Sequence, residues 1–198
     1  MESHKQLRDA GYNVKSYGTG SSVRLPGPSI EKPNVYSFGT PYEDIYQDLL
    51  SQPCRKMYEN NGLIEMLDRN RNVKKAPEKW QSNLYAGKFD LVITCEERCF
   101  DSVVEDLLLR YYGNNDDGDV KQIVHIINVD IKDDNENAII GGKGILKLVN
   151  MIHDFRKKNK DEYDDQSDVI LEDQMMNILT EWQRDHTHLQ TLYAIAYY

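Results

Sequence analysis

Three aspartates, Asp130, Asp133 and Asp134, crowd a short segment directly after the apolar run Ile123 to Val129. Carboxylates so placed could do two kinds of chemistry. A protonated one could hand its proton to a leaving oxygen, or several ionised ones could share a Mg²⁺ ion. A third reading is a solvated acidic turn that caps the next helix. The magnesium reading is poorly supplied, because the only nearby carboxylates on another strand end are Glu96 and Glu97. Cysteine chemistry is the other possibility. A cysteine phosphatase sets its thiolate under a loop of backbone N–H groups closed by an arginine six residues on, which lowers the thiol pKa and grips phosphate. Six residues after Cys54, Cys95 and Cys99 come Asn60, Asp101 and Glu105, so none fits. Cys95 and Cys99 therefore read as structural, with Glu96 and Glu97 raising the Cys95 pKa. The five histidines, His4, His125, His153, His186 and His188, lack metal-ligand spacing. His125 reads as a packed core residue; His186 and His188 read as tail. Gly18-Thr19-Gly20 lacks the spacing of a dinucleotide fingerprint, and no Walker motif occurs.

The elements that must position these residues alternate strand and helix. Residues 2–10 read as a helix stopped by Gly11. Tyr12 to Gly20 reads as a strand and glycine-rich turn, and Ser22–Leu25 as a short strand. Pro26-Gly27-Pro28 and Lys32-Pro33-Asn34 read as a rigid loop. Thr40-Pro41-Tyr42-Glu43 reads as a capping box with proline at the first helical position. Tyr42, Ile45, Tyr46, Leu49 and Leu50 then give the stripe of an amphipathic helix. A further helix is expected at Leu63–Arg69, so 40–80 form a small helical insertion. Phe89–Cys95 and Ile123–Val129 read as strands covered on both faces. Helices are expected at Phe100–Arg110 and Gly144–Lys157, and a last one carries Leu171, Met175, Ile178 and Trp182. Tyr111–Asp119 reads as a loop and Asn159–Asp168 as a charged linker. The pattern predicts an α/β protein, a parallel sheet with helices on both faces. In such sheets ligands bind beyond the C-terminal strand ends. That places attention on Gly18–Gly20, Thr94–Arg98 and Asp130–Asp134.

Composition narrows the partners. The 198 residues fit one domain, or one domain plus a small appendage, and the net charge of −9 gives no attraction for phosphate backbones, so direct nucleic-acid binding is not expected. No run approaches the roughly 20 apolar residues of a membrane span, and the N-terminus has no secretory h-region. Three cysteines without framework spacing suit a reducing compartment.

Met1-Glu2-Ser3-His4, Gly11-Tyr12-Asn13-Val14, Ser16-Tyr17-Gly18-Thr19-Gly20, Leu25-Pro26-Gly27, Lys32-Pro33-Asn34-Val35-Tyr36, Met66-Leu67-Asp68-Arg69-Asn70, Phe89-Asp90, Thr94-Cys95-Glu96-Glu97-Arg98 and Asn128-Val129-Asp130-Ile131 occur in order. With Ile178–Gln183 and the ending Tyr193–Tyr198, they resemble the fungal members of a family. It is the eukaryotic RNA polymerase II C-terminal-domain phosphatases of the cleavage and polyadenylation machinery, a divergent branch of the low-molecular-weight tyrosine phosphatases. The resemblance implies one phosphatase domain over 1–198 that needs no cofactor or metal. Its substrate would be phosphoserine at heptad position 5, followed by a cis-proline. The implied setting is the nucleus, in mRNA 3′-end processing and termination, with a symplekin-like scaffold and other components of that machinery as partners. By resemblance Asp133 is the general acid and Asp130 a supporting acid, while Leu25, Pro26, Tyr58, Leu63 and Met66 wall the site for the substrate proline.

The same resemblance implies a first strand and a Cys-x5-Arg-Ser loop ahead of Met1, left out through a missed first exon or in a short isoform. The 198-residue chain should then be inactive. An open slot between 14–17 and 89–94 should also make it insoluble or loosely packed. Two other functions compete with the catalytic one: a non-catalytic scaffold in the same complex, and a Mg²⁺-dependent phosphohydrolase using Asp130–Asp134.

Overall fold

The computed structural model describes residues 1–83, 87–113, 122–160 and 167–198. It divides into two compact units, Ser3–Ala86 with Met1 and Gly87–Tyr198 with Glu2.

In the first unit, α1 (Glu2–Asp9) buries Leu7. Gly11 follows at φ +91°, the left-handed stop expected of it. The strand expected at Tyr12–Gly20 does not form; its one bridge is parallel, Gly18 to Lys79. Gly18 N–H reaches Glu78 O at 2.9 Å, and Trp80 N–H reaches Gly18 O at 2.9 Å. No neighbouring strand runs beside the rest of this segment among the described residues. The short strand expected at Ser22–Leu25 opens an antiparallel hairpin, β1 (Val23–Ser29) with β2 (Lys32–Tyr36), that also takes in the proline-rich stretch expected to be a loop. The register shifts between Leu25 and Ser29, so Pro26 and Pro28 fall where no ladder N–H is demanded. A Cβ on Gly27 would lie 1.8 Å from Lys32 O, which is why glycine stands at this crossing.

Three helices follow: α2 (Tyr42–Ser51), α3 (Arg55–Asn60) and α4 (Leu63–Val73). The apolar stripe of α2 goes inward as expected, burying Tyr42, Ile45 and Leu49. The capping box does not form. Pro41 itself is the cap, and the Tyr42 N–H is met by Lys75 O at 2.9 Å. Glu43 is drawn instead to Gln47 at 2.8 Å and Arg71 at 2.6 Å. At six residues α3 is too short to show a period, so sequence pattern could not announce it. Tyr42, Ile45, Leu49, Tyr58, Leu63 and Leu67 form the core of this unit.

The second unit is built on β3 (Leu91–Thr94), β4 (Ile123–Val129) and β5 (Thr191–Tyr197), in the order β3-β4-β5. β3 and β4 are parallel, in line with the α/β reading. β5, which the sequence did not announce, pairs antiparallel with β4 from Ile123↔Tyr197 to Val129↔Thr191 and so adds an antiparallel edge strand to the parallel pair. Successive strand side chains point to opposite faces. Val124 to Val129 are all buried, so both faces of β4 are covered. Leu91, Val92 and Ile93 are only half-buried, since β3 is the edge strand of the described sheet.

α5 (Glu97–Gly113) packs on all three strands and buries Val103 and Leu107. It takes in Tyr111–Gly113, expected in a loop; residues 114–119 of that loop lie outside the described residues, as do 161–166 of the charged linker. α6 (Asn135–Lys160) packs against α7 (Ser167–Asp185). α6 starts at Asn135, ahead of the expected Gly144, because Asp134 caps it there. Of the three glycines in its path, Gly141 is required by close packing: a Cβ there would come within 2.3 Å of the Ile131 side chain. α7 buries Leu171, Met175, Ile178, Leu179 and Trp182. His186 and His188, expected in a tail, instead belong to the turn into β5. Gln183 Nε2 donates to His186 O at 2.7 Å and Leu189 O at 2.6 Å. The His186 ring stacks on Trp182 at 4.3 Å. His125 is a core residue as expected, 4% exposed, with Nδ1 2.9 Å from Tyr193 Oη.

Candidate active site

The C-terminal ends of β3 and β4 lie side by side, with Thr94 opposite Asn128. Both are buried, and Thr94 Oγ1 donates to Asn128 Oδ1 at 2.7 Å. The Ile131 N–H reaches Cys95 O at 3.2 Å, and the Asp130 N–H reaches Gln190 O at 2.8 Å. The segments Cys95–Arg98 and Asp130–Asp134 are thereby held together at the strand ends. Thr94→Val should leave the Asn128 oxygen buried without its donor, a loss of about 1–3 kcal/mol. Urea denaturation reads that loss; one below about 0.5 kcal/mol would show that another donor replaces the hydroxyl.

The three aspartates divide. Asp134 takes the capping role: its carboxylate accepts from Asn137 N–H at 2.9 Å and Asn137 Nδ2 at 2.7 Å. These bonds hold its carboxyl below the usual range, with the Lys132 charge helping. Asp130 and Asp133 remain exposed. Arg98 is hydrogen-bonded to Glu96, which holds its guanidinium charged, and the Asp133 charge adds to that effect. Among the described residues, no three His, Cys, Asp or Glu side chains gather tightly enough to ligate one metal ion.

None of the three cysteines is in a disulfide. Burial pushes the Cys95 thiol up, and Cys99 and Glu96 push the same way. A thiolate nucleophile needs the opposite shift.

The residues assigned by resemblance to the proline wall all lie in the first unit. Leu25 and Met66 are partly buried against the core cluster, to which Tyr58 and Leu63 belong. Pro26 is exposed, whereas Tyr58 is 0% exposed and Leu63 5%. A closed ring of hydrogen bonds joins this group. Asn34 Nδ2 donates to Pro26 O at 2.8 Å and to Tyr58 Oη at 3.0 Å. Tyr58 Oη donates to Gln52 Oε1 at 2.8 Å, and Gln52 Nε2 donates back to Asn34 Oδ1 at 3.1 Å. Gln52 Nε2 also donates to Asp48 Oδ2 at 3.0 Å, which accepts from Tyr36 Oη at 2.6 Å. Sequence reasoning missed Asn34 and Gln52 as partners. Asn34 stands inside a segment that carried the resemblance, but no spacing links it to Gln52.

An α/β unit with an acidic segment at its parallel strand ends is the class that these observations define. The family model described as Ssu72-like protein matches residues 1–198, and the chain belongs to that family. It is 68% identical, over 204 residues, to the RNA polymerase II C-terminal domain phosphatase SSU72 of Debaryomyces hansenii, covering 100% of this chain and 92% of that protein. It is 46% identical to the corresponding phosphatase of Schizosaccharomyces pombe, covering 100% of this chain and 90% of that one. A solved Drosophila melanogaster Ssu72, with Symplekin and bound to a cis peptidomimetic phosphoserine peptide of the polymerase C-terminal domain, matches with a TM-score of 0.79. That match has 36% identity and covers 100% of this chain and 90% of that one.

Proposed function

We propose that this chain is a protein serine phosphatase acting on the RNA polymerase II C-terminal domain, at phosphoserine 5 of the heptad followed by a cis-proline. The observation that carries the reading is the match along all 198 residues to phosphatases of that name. The peptide and Symplekin seen with the Drosophila relative support the same substrate and a symplekin-like partner. A nuclear role in mRNA 3′-end formation follows from that substrate. Residues 1–198 would belong to one phosphatase domain of the low-molecular-weight tyrosine phosphatase type, with 40–80 as a helical insertion.

The proposed nucleophile is a cysteine on a Cys-x5-Arg-Ser loop outside these residues, since no cysteine here is followed by arginine at that spacing. The strand leading into the loop would lie beside β3. In the first step the thiolate sulfur bonds to phosphorus while the bond to the serine oxygen breaks. Asp133 gives that oxygen its proton. In the second step Asp133, now ionised, takes a proton from the water that attacks phosphorus and frees the cysteine. Asp130 supports it from the same segment.

Assays with p-nitrophenyl phosphate and a phosphoserine heptad peptide test this. The 198-residue chain alone should show no turnover, because phosphate monoesters are extremely slow to hydrolyse without a catalyst. The chain preceded by the loop should turn over in the presence of EDTA. Turnover by the 198 residues alone would place the nucleophile among them. Turnover abolished by EDTA would favour metal chemistry, and none in either chain would favour the scaffold role.

A further inference from the structure

We propose that the Tyr58 hydroxyl, Asn34 and Gln52 form a positioning device that fixes Pro26 for substrate recognition; this rests on the reading that Leu25, Pro26 and Met66 receive the substrate's proline. Tyr58 has no exposed surface, so its ring offers no face to a peptide as the protein stands. Its hydroxyl nevertheless closes the ring of bonds through Gln52 and Asn34, and Asn34 delivers that order to the Pro26 carbonyl at 2.8 Å. Pro26 needs such a hold. It is exposed, and the β1–β2 ladder is interrupted between Leu25 and Ser29, so the hairpin's own pairing does not fix its backbone. Each amide hydrogen of Asn34 and Gln52 has a place in the network: Pro26 and Tyr58 for Asn34, Asn34 and Asp48 for Gln52. A network so fully satisfied holds one geometry. Tyr58 thus acts through Asn34 on the wall, and the specificity for proline depends on a hydroxyl that never meets the substrate.

Tyr58→Phe tests this, because it keeps the ring and removes only the hydroxyl. kcat/KM is measured in the chain with its loop, on a phosphoserine-proline heptad peptide and on p-nitrophenyl phosphate, which has no proline. The expected result is a loss on the peptide about three- to tenfold larger than on the small substrate, the worth of one hydrogen bond. Asn34→Ala should give a similar split, and both should melt cooperatively. Met66→Ala serves as the control for the wall. If it splits the two substrates while Tyr58→Phe and Asn34→Ala do not, the positioning device is overturned and the wall stands. If none of the three splits them, the wall reading itself fails. Equal losses on both substrates from Tyr58→Phe would make the hydroxyl a structural group and would likewise overturn the proposal.

Discussion

In the chain preceded by the proposed Cys-x5-Arg-Ser loop, Asp133→Asn should lower kcat on a phosphoserine heptad peptide by about 10²–10⁴-fold, the usual worth of the general-acid role proposed for it. The size follows from the leaving group. A serine alkoxide is strongly basic, so the bond to phosphorus breaks only as the oxygen gains a proton. Asparagine keeps the shape of the side chain and has no proton to give. p-Nitrophenolate is a far weaker base, so its departure needs less help, and the same variant should lose less on p-nitrophenyl phosphate. Asp130→Asn should cost below about tenfold on the peptide, because in the proposed mechanism this carboxylate supports the acid without delivering the proton. Asp134→Asn should act mainly at the start of α6, where its carboxylate caps the helix. Steady-state kinetics on both substrates check the ranking. A larger peptide loss at Asp130 than at Asp133 would reassign the acid, and equal Asp133 losses on the two substrates would remove it from leaving-group protonation.

Trp182→Ala should lower the stability of the chain by about 3–5 kcal/mol. Trp182 is fully buried in α7, its Nε1 donates to Gly144 O on α6 at 2.8 Å, and its ring stacks on His186. Removing it would empty space between two helices, take the indole donor from the Gly144 carbonyl and loosen the turn leading to β5. Gly144 has no side chain with which to fill the gap; with the indole in place, a Cβ there would stand only 3.2 Å from it. For a chain of this size each kcal/mol moves the melting temperature by about 2–4 °C, so the midpoint should fall by roughly 6–20 °C. Trp182→Phe should lie between, since it keeps much of the ring and loses the donor, about 1–3 kcal/mol. Thermal melts of the chain preceded by the proposed loop, followed by near-UV dichroism, measure both. A midpoint for Trp182→Ala within about 2 °C of the unsubstituted chain would show that α6 and α7 close over the site without it.

The readable parts of the fold were those where burial imposes a period. Ile45 and Leu49 on α2, Leu171 to Trp182 on α7 and the unbroken apolar run of β4 each carry their environment in their spacing. Of the β1–β2 hairpin only the first residues of β1 were legible, because Pro26 and Pro28 look like loop residues until a register shift shows that their missing N–H groups cost nothing. β5 was hidden for another reason. Its partner is far along the chain, and neither its pairing nor its antiparallel sense leaves a local mark. Thr40 failed as a cap because Lys75 O met the free N–H of Tyr42 instead, a contact made only after folding. At the candidate site, Asp130–Asp134 stood out because carboxylates after a buried strand are conspicuous. The division of labour inside that cluster was not visible, since the capping by Asp134 depends on where α6 begins. The Asn34–Tyr58–Gln52 ring was not visible either, because hydrogen bonds between side chains from separate elements follow no periodicity.

β5 also bears on how the molecule is made. β4 ends at Val129 and its antiparallel partner begins at Thr191. While the chain is being synthesised, one edge of the most deeply buried strand must wait for roughly 60 further residues, about 3–12 s at about 5–20 residues per second. α6 and α7 emerge during that interval, so the helices precede the strand that completes the sheet. Until it arrives, β4 offers an apolar, unpaired edge to whatever is nearby, the kind of surface on which chains associate wrongly. The sheet at the heart of the second unit is therefore among the last features of that unit to become complete as the ribosome delivers it.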